Sequence, residues 1–494
     1  MVGERQTVAV SHETEREMGA ACRLMLEIEI CEISTIDDGD FVTICFDYGV
    51  DSSADWALGA RQNVTKEFGF TVWGFTDCSC YNGAISICIA ISIQISNCNF
   101  KFNVHSNVHI YRLIATLSVA QFAHSAVFDV SKYGAKADGS DAAQGLLGAW
   151  KEACASAQPS KVTIPKGNYV VGEVAFVGPC KAPIQFQVAG TLKASPDPSH
   201  FKTDGWIKFQ NVDHLSIFGG GTFDGQGTLS WTKNQCSKSL NCKSLPTNVR
   251  FDFLTNSEVR DITSLNSKMF HTNILGCKNL TLNHVTITAP ATSANTDGIH
   301  IGRSDGINIT DCHIQTGDDC VSLGDGSKHV TITGVTCGPG HGIAVGSLGK
   351  FKNEEDVVGI TVRNCTLTGT MFGVRVKTWP SSPAGIASDM HFEDIIMNQV
   401  STPVLIDQEY CPWNQCTGQI PSKVKVSNVS FKNIRGTSAT QVAVKLACSK
   451  GVPCENVQVS DIHLAYSGKE GPATSVISNV KPIISGQQFP PLKI

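Results

Sequence analysis

At 494 residues, 41% hydrophobic and 17% charged, the chain has room for two to four domains and the composition of a globular protein. No apolar run reaches the ~18 to 20 residues a membrane span needs, so no segment is a candidate spanning helix. The formal charge of −5 hides a split: residues 1–125 hold 15 acidic and 7 basic side chains, whereas residues 126–494 hold 29 acidic and 32 basic, a net of +3 that eases approach to a polyanion.

Residues 1–105 have no clear period or repeat, hold seven of the 20 cysteines, and suggest no fold. Ala84–Ser96 is apolar but too short to span a bilayer. Tyr111-Arg112, the apolar stretch after it and the small residues Ala123 and Ser125 resemble the end of a secretory signal peptide, cleaved before Ala126. Its position, about a hundred residues late, leads us to expect an authentic start near here. On that reading 1–105 is a foreign or mispredicted leader, 106–125 a signal-like segment and 126–494 the working domain. The alternative is a buried strand in a two-domain protein. So many cysteines, none in paired CxxC spacing, point to secretory disulfides rather than zinc. Cys236/Cys242, Cys320/Cys337, Cys411/Cys416 and Cys448/Cys454 are closely spaced, and Cys154 and Cys180 could pair. Sequons at Asn279, Asn308, Asn364 and Asn428 agree with secretion, each weakly.

From Phe128 the chain reads as a strand and turn. Leu146, Leu147, Trp150 and Ala153 then carry the spacing of a short helix over 142–155 that caps the end of the repeating region. After about residue 210 the pattern apolar-x-apolar-x-x-apolar-x-apolar recurs. It appears as Leu280/Leu282/Val285/Ile287, Ile307/Ile309/Cys312/Ile314, Val330/Ile332/Val335/Cys337 and Ile360/Val362/Cys365/Leu367. Met390/Phe392/Ile395/Met397 and Val457/Val459/Ile462/Leu464 continue it, and Val429/Phe431/Ile434 fits with Gly436 in the fourth place. Short strands repeating every ~25 residues mean a solenoid. The predicted fold is all-β, a right-handed parallel β-helix with a short N-terminal capping helix. A β-propeller fits less well, because its blades need hairpin turns. Cys277, Cys312 and Cys365, the last two at apolar places of the repeat, are read as free thiols. Asn at the bends suits left-handed turns.

Four segments carry the chemistry: Asn295-Thr296-Asp297-Gly298, Gly317-Asp318-Asp319-Cys320, Gly340-His341-Gly342 and Arg375-Val376-Lys377. Each adjoins an alternating apolar run. Aligning the runs puts Asp297, Asp319 and His341 in one column, with Asp318 one residue back. In parallel layers about 4.8 Å apart, three carboxylates and an imidazole would share a patch, with two cations a layer or so on. Asp305-Gly306, Asp325-Gly326 and Asp224-Gly225 read as plain turns, and Asp297 alone would too. Adjacent Asp318 and Asp319 beside it repel one another and raise a pKa, which suits acid–base catalysis or a bound cation. Calcium is the main rival, weakened by His341, Arg375 and Lys377 on the same surface. Strict alternation points residue 297 inward, so it must sit in a bend at the strand's edge, and Asp318 and Asp319 should diverge.

These motifs in this order, on this repeat, resemble the polygalacturonases among the pectin-cleaving glycoside hydrolases, from about Val127 to the C-terminus. Arg250-Phe-Asp-Phe, Gly346–Lys350 and Asp407–Cys416 look most like pollen-type exopolygalacturonases of plants. The resemblance implies metal-free, cofactor-free inverting hydrolysis of α-1,4-galacturonan. By motif match Asp318 is the general acid, which His341 helps to keep protonated, and Asp297 with Asp319 holds the attacking water. Inversion leaves about 6.5 to 9.5 Å between acid and base. Arg375 and Lys377 are implied to bind the substrate carboxylate, and Asn295 and Tyr410 to contact substrate. For Tyr410, packing alone is an equal reading. Cys320/Cys337, Cys411/Cys416 and Cys448/Cys454 match family disulfides. Ala344 stands where a serine is common, and residues 1–105 have no family counterpart. The implied partner is pectin, with no nucleic acid and no membrane span, for a secreted cell-wall monomer. An endo mode, a pectin or pectate lyase and a non-catalytic wall-binding β-helix remain alternatives. Exo action needs a blocked groove end, for which Trp231–Leu245 and Pro380–Ala387 are candidates.

Overall fold

The structure, a computed structural model, describes residues 126–234, 244–412, 416 and 420–492, and the backbone of five strands before residue 120. The chain divides into two compact units, Met1–Ala120 and Gln121–Ile494. In the first, Thr7–Ala9, Leu26–Ile36, Gly39–Gly49, Ala84–Ile91 and Val72–Gly74 pair antiparallel in that order. The sequence suggested no fold here. The available signal was the alternation of Ile85, Ile87, Ile89 and Ile91, a two-residue period that faces one side of a strand. The signal-like segment Tyr111–Ser125 and the pair Cys236/Cys242 lie outside the described residues.

The second unit is a right-handed parallel β-helix. Each turn of chain contributes to three parallel ladders, so the side chains alternate between a central column and the outside. One ladder runs Leu280↔Ile307↔Val330↔Ile360↔Met390↔Val429↔Val457. These are the first places of the repeat, and all four places in each layer are buried, except Gly436 in the Val429 layer, which is partly exposed. At about 1.5 to 3 kcal/mol per buried aliphatic side chain, a layer gains several kcal/mol that no isolated layer could realise. Cys277, Cys312 and Cys365 sit in this column as buried free thiols. Gly436 breaks the pattern because the chain there turns to a φ of +128° and a Cβ would lie 1.9 Å from the Met397 carbonyl oxygen. Asn256, Asn279, Asn364, Asn428 and Asn456 hold left-handed bends between ladders.

The helix Ala143–Ala155 covers the end of the coil. Its Trp150 packs on Phe176 at 5.2 Å and Phe209 at 5.9 Å, closing an aromatic plug that continues to Phe251. Cys154–Cys180 ties helix to coil, and Cys320–Cys337, Cys411–Cys416 and Cys448–Cys454 are bonded as expected. Among the described residues no helix is long and apolar enough to cross a membrane.

Candidate active site

The motif residues meet at one edge of the ladder that contains Ile299–Gly302, Val321–Leu323 and Ile343–Leu348. Its register, Ile299↔Val321↔Ile343, puts Asp297, Asp319 and His341 two residues ahead of successive strands. Asp297 lies in the bend before its strand, which removes the conflict with alternation. Hydrogen bonds between layers lock these bends. Buried Thr296 donates to the Ser293 carbonyl at 2.8 Å and accepts from the Gly317 amide at 3.0 Å. The His341 amide donates to the Asp318 carbonyl at 2.7 Å. Gly342, at φ +86°, passes so near the next layer that a Cβ would fall 2.2 Å from the Phe372 carbonyl oxygen. The close stacking of the two layers is therefore what requires glycine at 342.

Each carboxylate has its own partners. Asp297 accepts from the Ser322 hydroxyl at 2.8 Å. Asp318 pairs with His341 Nδ1 at 2.9 Å, accepts from the Asp319 amide at 2.9 Å and from Asn295 Nδ2 at 3.3 Å. Asp319 is gripped by Arg375 at 2.5 Å and Lys377 at 2.9 Å. The Asp318 side chain is 20% exposed and that of Asp319 only 2%, so Asp318 is the one that an incoming ligand can reach. Burial, with Asp318 and Asp319 adding repulsion, pushes Asp297 well above the ordinary carboxylate range against Ser322 and Lys377. Burial would raise Asp319 too, but Arg375 and Lys377 outweigh it and hold that carboxyl low.

The profile of glycosyl hydrolases family 28 matches residues 154–487. An exopolygalacturonase of Platanus acerifolia is 59% identical over 368 residues, 74% of this chain and 97% of the relative. One of Oenothera organensis is 61% identical over 351 residues, 71% of this chain and 97% of the relative. The chain belongs to glycosyl hydrolases family 28. The crystal structure of a hyperthermoactive exopolygalacturonase from Thermotoga maritima shares the fold, with a TM-score of 0.59 at 18% identity over 74% of this chain and 92% of that one.

The remaining predicted residues gather here as well. In this family-28 chain Tyr410 is held over Lys377, whose Nζ is 5.2 Å from the ring centroid, and edge-on to Trp379 at 5.5 Å. Burial pushes its hydroxyl up to about 12, with Asp319, Asp318 and Asp297 adding to the rise. Arg375 and Lys377 join the cluster from farther along the coil. They come from two layers beyond Asp319 and reach back to it, so each already has a carboxylate partner. Arg375 Nε is buried without a hydrogen-bond partner and retains one donor. Donor atoms of Asp318, Asp319 and His341 lie within 4.8 Å of one another, close enough for a cation. Both Asp319 oxygens and His341 Nδ1 are already engaged, so a metal would have to displace those partners.

Three residues near the site carried no assignment from the sequence. Asn234, just after the helix Thr228–Lys233, donates to Asn295 Oδ1 at 3.1 Å and so orients it. Ser322 and His300 stand in one outward column, His300↔Ser322↔Ala344↔Arg375. Polar residues at alternating places of the run were the signal for both. Asn234 had none, being 61 residues from Asn295.

Proposed function

We propose that this family-28 protein hydrolyses α-1,4-linked galacturonan in pectin with inversion, releasing single galacturonate units from the non-reducing end. It is a polygalacturonase, a glycosidase. The 126–494 β-helix is the catalytic domain, and the protein is secreted to act on the cell wall as a monomer. The observation that carries the mechanism is the opposite treatment of neighbouring carboxylates: Asp318 accessible and paired with His341, Asp319 held as an anion by two cations, Asp297 buried but with one oxygen fixed by Ser322.

In this reading Asp318 gives its proton to the glycosidic oxygen as the bond to the anomeric carbon breaks. His341 Nδ1, 2.9 Å from Asp318 Oδ1, orients the acid so that its proton is carried on the other oxygen, toward the substrate. Water attacks from the opposite face, ordered by Asp297 and Asp319, and Asp297 takes its proton. The buried Asp319 anion stabilises the positive charge that develops on the sugar ring. Asn295 and Tyr410 bound the sugar, and Arg375 and Lys377 share their remaining donors with its carboxylate. Exo action rests on the resemblance to relatives named exopolygalacturonase.

The experiment follows reducing ends, viscosity and the first-formed anomer on polygalacturonate. Exo hydrolysis with inversion gives β-galacturonate monomer from the first minutes with little loss of viscosity. An early viscosity collapse with mixed oligomers would mean an endo enzyme, and an unsaturated product absorbing in the near ultraviolet would mean a lyase. N-terminal sequencing of secreted protein tests the domain boundary: a mature start upstream of residue 105 would overturn it.

A further inference from the structure

We propose that Ser322 and His300 are positioning residues for Asp297: His300 aims the Ser322 hydroxyl at one oxygen of that carboxylate and leaves the other for the attacking water. The inference rests on the function proposed above for its catalytic consequence. The geometry is independent of it.

Ser322 Oγ is 2.8 Å from Asp297 Oδ2 and 2.8 Å from His300 Nδ1. A hydroxyl has one hydrogen, and an ionised carboxylate can only accept. With Asp297 charged, that hydrogen must point to Oδ2, so His300 must carry its own hydrogen on Nδ1 and donate it to Ser322. Burial, with Lys377 adding to it, pushes His300 down to about 4, so the ring is neutral and has a single N–H to place. The ring is held by stacking on Phe270, centroids 4.9 Å apart and planes at 28°. Ser322 is 3% exposed, so water does not compete for its hydroxyl. The charges facing His300 are Lys377, Asp319, Asp325 and Arg250, and those facing Asp297 are Asp318, Asp319 and Lys377. Among the described residues nothing donates to Asp297 Oδ1, which is the oxygen left for water.

The chain of donors has a catalytic consequence. Burial and two neighbouring carboxylates resist ionisation of Asp297, and the Ser322 hydrogen bond opposes them. The pair therefore sets how low the pH may fall before the water loses its base. If the histidine hydrogen moved to Nε2, Ser322 would turn toward Nδ1 and Asp297 would lose its donor.

The test is the pH dependence of kcat/KM on polygalacturonate, whose acid limb reports the base in the free enzyme. Ser322→Ala should move that limb up by about one pH unit, the size of one hydrogen bond to a charged group, with KM little changed. His300→Phe, which keeps the stack on Phe270 but neither donates to Ser322 nor competes for its hydrogen, leaves the hydroxyl less firmly aimed and should move the limb the same way by a smaller amount. His300→Asn, whose amide can stand in for Nδ1–H, and Ser322→Thr should stay near the unmodified enzyme. The double variant S322A/H300F should shift no further than S322A, because the two act through one bond. An unmoved limb in S322A, or H300N behaving as H300F, would overturn the inference. Melting curves of each variant separate these results from misfolding. A second readout needs no turnover: nitrogen chemical shifts of His300 in the full-length protein should show the Nδ1-protonated tautomer, and the Nε2-protonated form would overturn the inference. An unmodified protein that hydrolyses no galacturonan but shows the Nδ1 tautomer would overturn the proposed function and leave the hydrogen-bonded pair standing.

Discussion

Burial acts on Asp297 and Asp319 alike, and the difference between them comes from their partners. Asp319 has two cations, so its anion stabilises the fold. That contribution is present above the unfolded carboxyl value, about 3.9, and is lost as pH falls through the lower folded value. Asp319→Asn should therefore destabilise the protein by about 3 to 5 kcal/mol near neutral pH, since it leaves Arg375 and Lys377 buried without their counter-charge. Thermal melting checks this. Asp297 is the reverse case. Its folded value is raised, so its contribution is complete below about 3.9 and is lost as pH rises through the folded value. Asp297→Asn should raise the melting temperature near neutral pH, with the gain shrinking toward acid, while turnover collapses. Asp318→Asn should keep substrate binding and lose roughly 10²- to 10⁴-fold in kcat, because an amide cannot protonate the leaving oxygen. More than a tenth of the original kcat remaining would remove Asp318 from that role.

The unit of construction is one layer of the coil, and its tolerance depends on which part of the layer changes. Ile309 is wholly buried between Leu282 and Ile332. Ile309→Ala leaves a cavity that stacked layers cannot collapse into, and should cost about 2 to 5 kcal/mol in urea unfolding with the active-site pH profile unchanged. Gly342→Ala puts a carbon where the Phe372 carbonyl oxygen already sits. It should shift the adjacent His341 and lower kcat, and it should lower stability as well, since the obstructing atoms are the backbone carbonyls of Phe372 and Gly373. Steady-state kinetics together with a melt would distinguish the two effects. The repeat and its free thiols were legible at this scale because burial in a solenoid imposes the same apolar places in every layer. The antiparallel strands before residue 120 were not, because the strands there lack a shared repeat.

At the scale of the whole molecule, substrate reaches a body whose 126–494 portion carries a small positive excess. Arg375 and Lys377 share the single carboxylate of Asp319, which offsets one of their two charges and leaves a positive excess beside the site. Lys377→Met should thus do more than weaken the grip on a sugar carboxylate. It removes a cation that steadies Asp319 and Asp297 and should move the acid limb of kcat/KM to higher pH as well as raise KM. A purely recognition role would raise KM alone, and more on galacturonan than on its methyl ester.

The amino-acid sequence by itself determined the layers and the column in which Asp297, Asp319 and His341 stand, because hydrophobic spacing sets strand register and register sets which motifs are neighbours. It also marked the pairs Cys154/Cys180 and Cys320/Cys337 and the capping helix. Only the tertiary structure decided the partners of each group. That Arg375 and Lys377 reach back across two layers to Asp319, that Asn234 steadies Asn295, and that His300 and Ser322 converge on Asp297 all depend on side-chain reach between turns of the coil. Spacing along a strand says which layer a residue joins, but not how far its side chain extends or which neighbour's charge it meets there.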